Sequence, residues 1–322
     1  MILKKPDFKF KQIAMVYSER GVRCQLKIRN GNIAFLKDQK VVNQIPTDRA
    51  NLILVVGDIS ISSYLIKHAK KNGVTMSLLD YNLRPISSLS SGAEGNYILR
   101  SQQYKMSESH QLIIAKGLIE IKLSNQEKLA SYVSGNNLGL FDRKLLGSIV
   151  EVKSLLGIEG SAARSYFGVI FSNLDNFHRI PRAKLDKTNL LLDVGYSMLF
   201  NFVEALANSY GFDLYKGVYH QTFFERKSLV CDLVEPFRPI IDKELVKMID
   251  FDKIFDDDFI KRHDGSFGLK WQSAKKYQMI FMKAILDRKM EMFDLIRSVY
   301  YLHFDQTKEL FIFDLDKKRA QQ

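Results

Sequence analysis

The chain has 322 residues, 46% hydrophobic and 26% charged, the balance of a folded protein with room for two domains and a substantial core. Its 48 Lys and Arg outnumber 36 Asp and Glu, and the net charge of +12 favours a polyanionic partner. Two cysteines, Cys24 and Cys231, exclude a disulfide-built scaffold, and the longest clean apolar run, LILVV at 52–56, is too short for a bilayer span. The opening MILKKPDFKFKQIAM has no secretory apolar segment, so a soluble cytoplasmic protein with no membrane partner is the expectation.

The first ninety or so residues read as strands. QIAMVYS (12–18) and RCQLKIRN (23–30) alternate apolar and polar residues, and Asn30-Gly31 separates the second from NIAFLK (32–37). Asn-Gly between two such runs marks a hairpin, because both residues tolerate positive φ. LILVVGD (52–58) reads as a buried strand. ISISSYLIKHAKKNG (59–73) reads as a helix with serine caps and a glycine stop, and VTMSLLD (74–80) as another strand. YNLRPISSLSSGAEGN (81–96) is rich in Ser, Gly and Asn and reads as a linker.

Beyond Asn96 apolar residues recur at three- and four-residue spacing. Helices are expected over 97–133, over DVGYSMLFNFVEALANSYG (193–211), and as one long element over 274–302. The tail DLDKKRAQQ is expected to fray. The fold class is therefore α+β: a β-rich domain over 1–84, a linker over 85–96, and a mostly helical domain over 97–322.

Three places carry candidate chemistry. Glu159 sits in LLGIEGSAARSYF, at what reads as the mouth of an apolar helix. His220 precedes Asp232 and Glu235 within GVYHQTFFERKSLVCDLVEPFRPIID. An acid in a first helical turn commonly answers the helix dipole, and a histidine in an apolar stretch is commonly a hydrogen-bonded core residue. Convergence of the three would instead suit a divalent ion, which takes carboxylate oxygens and tolerates imidazole. Pro236 disfavours helical geometry at Glu235 and suggests a helix beginning at Pro236.

The patterns LLGIEGSAARSYF, KTNLLLDVGYSMLF and GVYHQTFFERKSLVCDLVEPFRPIID, in that order, resemble the CRISPR adaptation integrases, the Cas1 family. VVGDISISSYLIKHAKKNGVTMSLLD resembles that family's N-terminal domain, and the likeness spans roughly residues 57–242. It implies Glu159, His220 and Glu235 as ligands of Mg²⁺ or Mn²⁺, with Asp232 the accompanying acid. Many members carry aspartate where Glu235 stands, so a longer reach is expected here. The likeness also implies DNA as substrate (prespacer and repeat array), a homodimer built by the N-terminal domain, and the small adaptation protein Cas2 as partner.

Basic residues near such a site would bind phosphates. The candidates are Arg164, Arg179, Arg182, Lys184, Lys216, Arg226, Lys227 and Arg238, with surface charge as the plain alternative. Asn189, Gly195 and Tyr196 are expected to pack beneath the site. Two rivals remain: a non-catalytic basic nucleic-acid-binding protein, and a scaffold whose acids pair with Arg164 or Arg238. On the catalytic reading, removing one carboxylate from a like-charged cluster should be neutral or stabilising without metal; on the scaffold reading it should destabilise.

Overall fold

The computed structural model describes residues 4–81, 83–89 and 93–317, and the end of the expected frayed tail lies outside them. The chain forms two compact units. One comprises the N-terminal region through Tyr104 with Asn201–Leu214; the other comprises Lys105–Phe200 and the chain from Tyr215 onward.

The first unit carries α1 (Lys5–Phe10), β1 (Gln12–Tyr17), β2 (Cys24–Arg29), β3 (Asn32–Lys37), β4 (Lys40–Pro46), β5 (Ala50–Val56), β6 (Ser60–Ile61), α2 (Ser63–Lys71), β7 (Thr75–Leu79), β8 (Pro85–Leu89) and α3 (Tyr97–Lys105). One sheet has the order β1-β5-β7-β8, with β1, β5 and β7 parallel and β8 antiparallel. The other has the order β4-β3-β2-β6. Every residue of β5 is buried, as a parallel strand covered on both faces requires. Val16, Leu26, Ile33, Phe35, Ile53, Val55, Leu65 and Met76 form one core from both sheets and α2.

The hairpin forms where Asn30-Gly31 placed it. Asn30 and Gly31 have φ of 49° and 74°, and Arg29 pairs with Asn32 across the turn. Ser62 caps α2 by accepting from the Leu65 N–H at 3.2 Å.

The expected linker holds a strand instead: β8 pairs with β7 along Pro85–Leu89. A proline at the first position of a sheet-edge strand withholds no necessary donor, and serines suit a half-exposed face. The first unit also continues to Tyr104, past the expected boundary at residue 84.

The second unit carries α4 (Glu108–Ser134), α5 (Arg143–Ser148), α6 (Val152–Ile170), α7 (Lys187–Tyr210), α8 (Ser228–Val234), α9 (Arg238–Asp250), β9 (Phe259–Lys261), β10 (Phe267–Leu269), α10 (Trp271–Asp287) and α11 (Lys289–Leu302). Residues Asn201–Tyr210 of α7 belong to the first unit. Ser107 caps α4, which runs 27 residues to Gly135 at φ 70°. Burial on α4 extends well beyond one face, including Ile114, Leu118, Ile119, Lys122, Gln126 and Leu129, as expected for a central helix. α7 is long and apolar enough to cross a membrane, and 78% of its most apolar window is buried inside the protein.

The single helix expected over 274–302 is two helices meeting at Arg288. The Arg288 guanidinium donates to Glu291 at 2.9 Å and to the carbonyls of Asp314 and Leu315 at 2.6 and 2.9 Å. This tether, invisible to helical periodicity, goes with the break.

Candidate metal centre

The site lies within the second unit, and each group comes from a different stretch. α6 supplies Glu159, which lies eight residues into the helix (not at its mouth) because α6 begins at Val152. The segment after α7 supplies Tyr219 and His220. α8 supplies Asp232, and a short 3₁₀ turn, Glu235–Phe237, supplies Glu235. Glu235 adopts φ −51° and ψ −47°, so Pro236 does not force it out of helical geometry; the chain passes from α8 through the turn into α9 without an extended residue.

Glu159 and Glu235 meet at one cationic point. The Lys122 ammonium donates to Glu159 Oε1 and lies 2.5 Å from Glu235 Oε2. The Tyr219 hydroxyl donates to the second oxygen of Glu159, and Arg238 Nη2 lies 3.0 Å from Glu235 Oε1. Glu235 is 2% exposed, and its Oε2 is a buried oxygen with no hydrogen bond.

Burial by itself would push the Glu235 carboxyl up, but Arg238 and Lys122 outweigh it and hold the group at about 2. Burial pulls Lys122 down, while Glu235 and Glu159 together raise it above the usual lysine value. Both groups are therefore charged at neutral pH. Burial raises the Tyr219 hydroxyl well above its usual range, and the charges of Glu159, Glu235 and Asp232 push it further the same way, so these groups share one electrostatic neighbourhood.

Asp232 anchors the histidine. One carboxylate oxygen accepts from the His220 N–H at 2.9 Å and faces His220 Nδ1 at 2.6 Å. The other accepts from the N–H groups of Val218 and Tyr219 at 2.6 and 3.0 Å. Gly217 makes this approach possible: a Cβ there would lie 2.7 Å from Asp232 Oδ2 and 2.9 Å from the His220 carbonyl oxygen. With Nδ1 tied to a carboxylate, Nε2 is the nitrogen left for a ligand, the arrangement common to metal-bound histidines. Both oxygens of Asp232 are engaged, and through them it positions the imidazole.

Among the described residues, no three His, Cys, Asp or Glu side chains stand close enough to hold a metal ion as they are placed. The expected three-way convergence is instead a carboxylate pair closed on Lys122, with His220 beside it through Tyr219, whose ring centroid is 4.9 Å from the imidazole. The donor set still fits a hard divalent ion. A half-buried and a buried carboxylate already focus on one cation, and an oriented imidazole adjoins them.

An open cavity of about 650 Å³ adjoins the cluster, lined by Lys153, Leu156, Lys216, Tyr219, His220 and Arg226 among others, with Glu108 and Glu151 also on its walls. Of the eight basic candidates, only Lys216 and Arg226 line it. Arg179 is committed to Asp193 at 2.6 Å and to Asn189 at 2.8 Å, and Arg238 to Glu235. Arg164 and Arg182 are exposed, while Lys184 and Lys227 are half-buried.

Beneath the cluster, Asp242 accepts from the Tyr166 hydroxyl at 2.7 Å and from the Tyr196 hydroxyl. Burial pushes Asp242 up to about 6, against the pull of both hydroxyls. A Cβ at Gly195 would lie 2.3 Å from an Ile241 methyl, so glycine is what lets α7 and α9 pack closely. Asn189 accepts from the Ile180 N–H at 3.0 Å and donates to the His178 carbonyl at 2.9 Å, bracing the loop before α7.

Sequence reasoning missed Lys122 and Tyr219. A signal existed for Lys122: it falls four residues after Leu118 and three after Ile119, on the apolar stripe of α4, where an uncompensated charge is costly. Its presence also revises the expectation for Glu159→Ala. The carboxylates are bridged by a cation, so removing one is no longer neutral or stabilising. It destabilises, by less than the ~3–5 kcal/mol of an orphaned buried charge, since Glu235 still answers Lys122.

The β-rich unit followed by a helical unit carrying an acid pair closed on a buried lysine, with an anchored histidine beside it, defines an α+β protein with its candidate site in the helical part. The family model for CRISPR associated protein Cas1 matches residues 20–282, a span holding every candidate ligand. The chain belongs to the Cas1 family. It is 28% identical over 276 residues to a CRISPR-associated endonuclease Cas1 of Thermodesulfovibrio yellowstonii, covering 80% of this chain and 87% of that protein. A casposase bound to an integration product shares the fold with TM-score 0.80 at 20% identity, covering 96% of each chain. A Cas6-RT-Cas1–Cas2 complex shares it with TM-score 0.76 at 20% identity, covering 96% of this chain and 36% of that one.

Proposed function

We propose that this chain is a metal-dependent DNA integrase and endonuclease of CRISPR adaptation. The observation that carries the reading is the Glu159–Glu235 pair focused on one buried cationic point beside an Asp232-anchored His220. Membership of the Cas1 family and the endonuclease name of the Thermodesulfovibrio relative support it.

Glu159, Glu235 and His220 Nε2 would hold Mg²⁺ or Mn²⁺, which when bound supplies polarisation of the scissile phosphate and stabilisation of the leaving oxygen. The protein's own groups prepare that site. Arg238 and Lys122 keep Glu235 ionised, the Tyr219 hydroxyl fixes one oxygen of Glu159, and Asp232 fixes the imidazole. Lys216 and Arg226, on the cavity wall, seat backbone phosphates. A DNA 3′-hydroxyl oxygen then forms a bond to phosphorus as the bond to the target strand's 3′-oxygen breaks. The phosphodiester is exchanged and no oxidant or nucleotide is consumed.

The substrates on this reading are a prespacer duplex and the repeat array. The N-terminal unit pairs two copies, Cas2 joins the dimers as the name of the Cas6-RT-Cas1–Cas2 complex suggests, and the assembly works in the cytoplasm. The test is integration of a short duplex into supercoiled plasmid. We expect products with Mn²⁺ or Mg²⁺, none in chelator, and none with Glu159→Ala although that variant still binds DNA. A protein that only binds nucleic acid would give no product under any of these conditions. Product that persists with Glu159→Ala would overturn the assignment.

A further inference from the structure

We propose that Lys122 is a built-in counter-cation for the carboxylate pair: its ammonium holds Glu159 and Glu235 together in the metal-free protein and leaves that position when a divalent ion enters. The inference rests on the metal-site reading and adds a residue that this reading does not require.

Three observations carry it. The Lys122 side chain is 7% exposed on the central helix α4, so solvation cannot be what keeps it charged there. Its two partners come from separate elements packed on α4: Glu159 from α6 and Glu235 from the turn before α9, and the ammonium is the one group that touches both carboxylates. Without the ammonium, the facing carboxylates would repel in a medium of low dielectric. Finally, the fit is incomplete. The ammonium donates to Glu159 Oε1, while Glu235 Oε2, 2.5 Å away, has no hydrogen bond. The contact with that oxygen is an ion pair, and a divalent ion supplies the same charge twice over.

Two consequences follow. The two carboxylates are neutralised at one point in the metal-free protein, and metal affinity is set below what the ligands alone would give, since entry means displacing a cation. Lys122 is therefore a positioning residue for the empty state and a competitor for the loaded one.

The experiment titrates Mn²⁺ by electron paramagnetic resonance of the free ion into wild type, Lys122→Met, Lys122→Gln and Glu159→Gln, alongside thermal unfolding in EDTA. The lysine variants should unfold at lower temperature in EDTA, recover on loading, and bind Mn²⁺ at least about tenfold tighter than wild type, because one repelling charge is gone. Equal or weaker binding by both lysine variants, with wild-type binding abolished by Glu159→Gln, would sink the counter-cation while leaving the metal site standing. Absence of Mn²⁺ binding in wild type and lysine variants alike would overturn both. Wild type alone provides a second readout should the variants fail to fold: amine acetylation followed by mass spectrometry. Lys122 should resist acetylation in EDTA and react in Mn²⁺; resistance in both overturns the proposal.

Discussion

Among the described residues, 4–89 bury Ser18, Gln25, Thr47, Asn51, Thr75 and Ser77 and no charged side chain, whereas the helical unit buries Lys122, Asp232, Glu235, Asp242, Glu291 and Asp294. The strand region is stabilised by apolar burial, and the polar side chains it buries are uncharged. Buried charges of the helical unit have partners: Lys122 reaches Glu159 and Glu235 from another element, while Arg297 answers Asp294 from within α11. One region can lose a side chain and remain chemically the same. In the other, Lys122, Asp232 and Glu235 are tied to the candidate site, while Glu291 and Asp294 pair with Arg288 and Arg297.

The sharpest way to break this contrast is a cavity in the strand region. Ile53, 1% exposed on β5, packs into the core of both sheets. Ile53→Ala should cost about 2–5 kcal/mol of stability by chemical denaturation, with Mn²⁺ affinity unchanged below the unfolding transition. A parallel fall in Mn²⁺ affinity would erase the distinction.

A smaller effect belongs to the helical unit. His303 is 7% exposed and Nδ1 faces the Val299 carbonyl at 2.8 Å. Burial holds its ring down at about 4, so the fold keeps it neutral. The folded value lies below the unfolded one, so this contribution is complete above about pH 6.5 and is lost as pH falls toward 4. By pH 5 the loss is about 2 kcal/mol. Asp242, raised to about 6, acts in the opposite sense: its protonated form is favoured, so its contribution grows as pH falls below 6. The two partly cancel in wild type, and the comparison with His303→Gln isolates the histidine. The variant should lose less stability than wild type between pH 7 and pH 5; equal losses would refute the assignment.

How much was legible follows the same division. The hairpin at Asn30-Gly31, the buried run of β5 and the cap of α2 announce themselves because local backbone chemistry decides them. β8 was hidden in a Ser-rich stretch, since an edge strand needs little apolar pattern. The break at Arg288 depends on carbonyls more than twenty residues away, beyond any local window. Glu159, His220 and Glu235 were legible through motif likeness, but their grouping was not, because it passes through Lys122 and Tyr219 on other elements. For Asp232, the accompanying acid of the motif, spacing does not reveal that three backbone N–H groups donate to it.

The claim that most of this rests on is that the Glu235 carboxylate is a working ligand of the phosphodiester chemistry. The direct measurement is the single-turnover strand-transfer rate of Glu235→Gln at saturating DNA and Mn²⁺. The amide keeps the size of the side chain and removes its charge. The account predicts a fall on the order of 10³-fold, several kcal/mol of lost transition-state stabilisation, with DNA affinity preserved. A rate within a few-fold of wild type would contradict it.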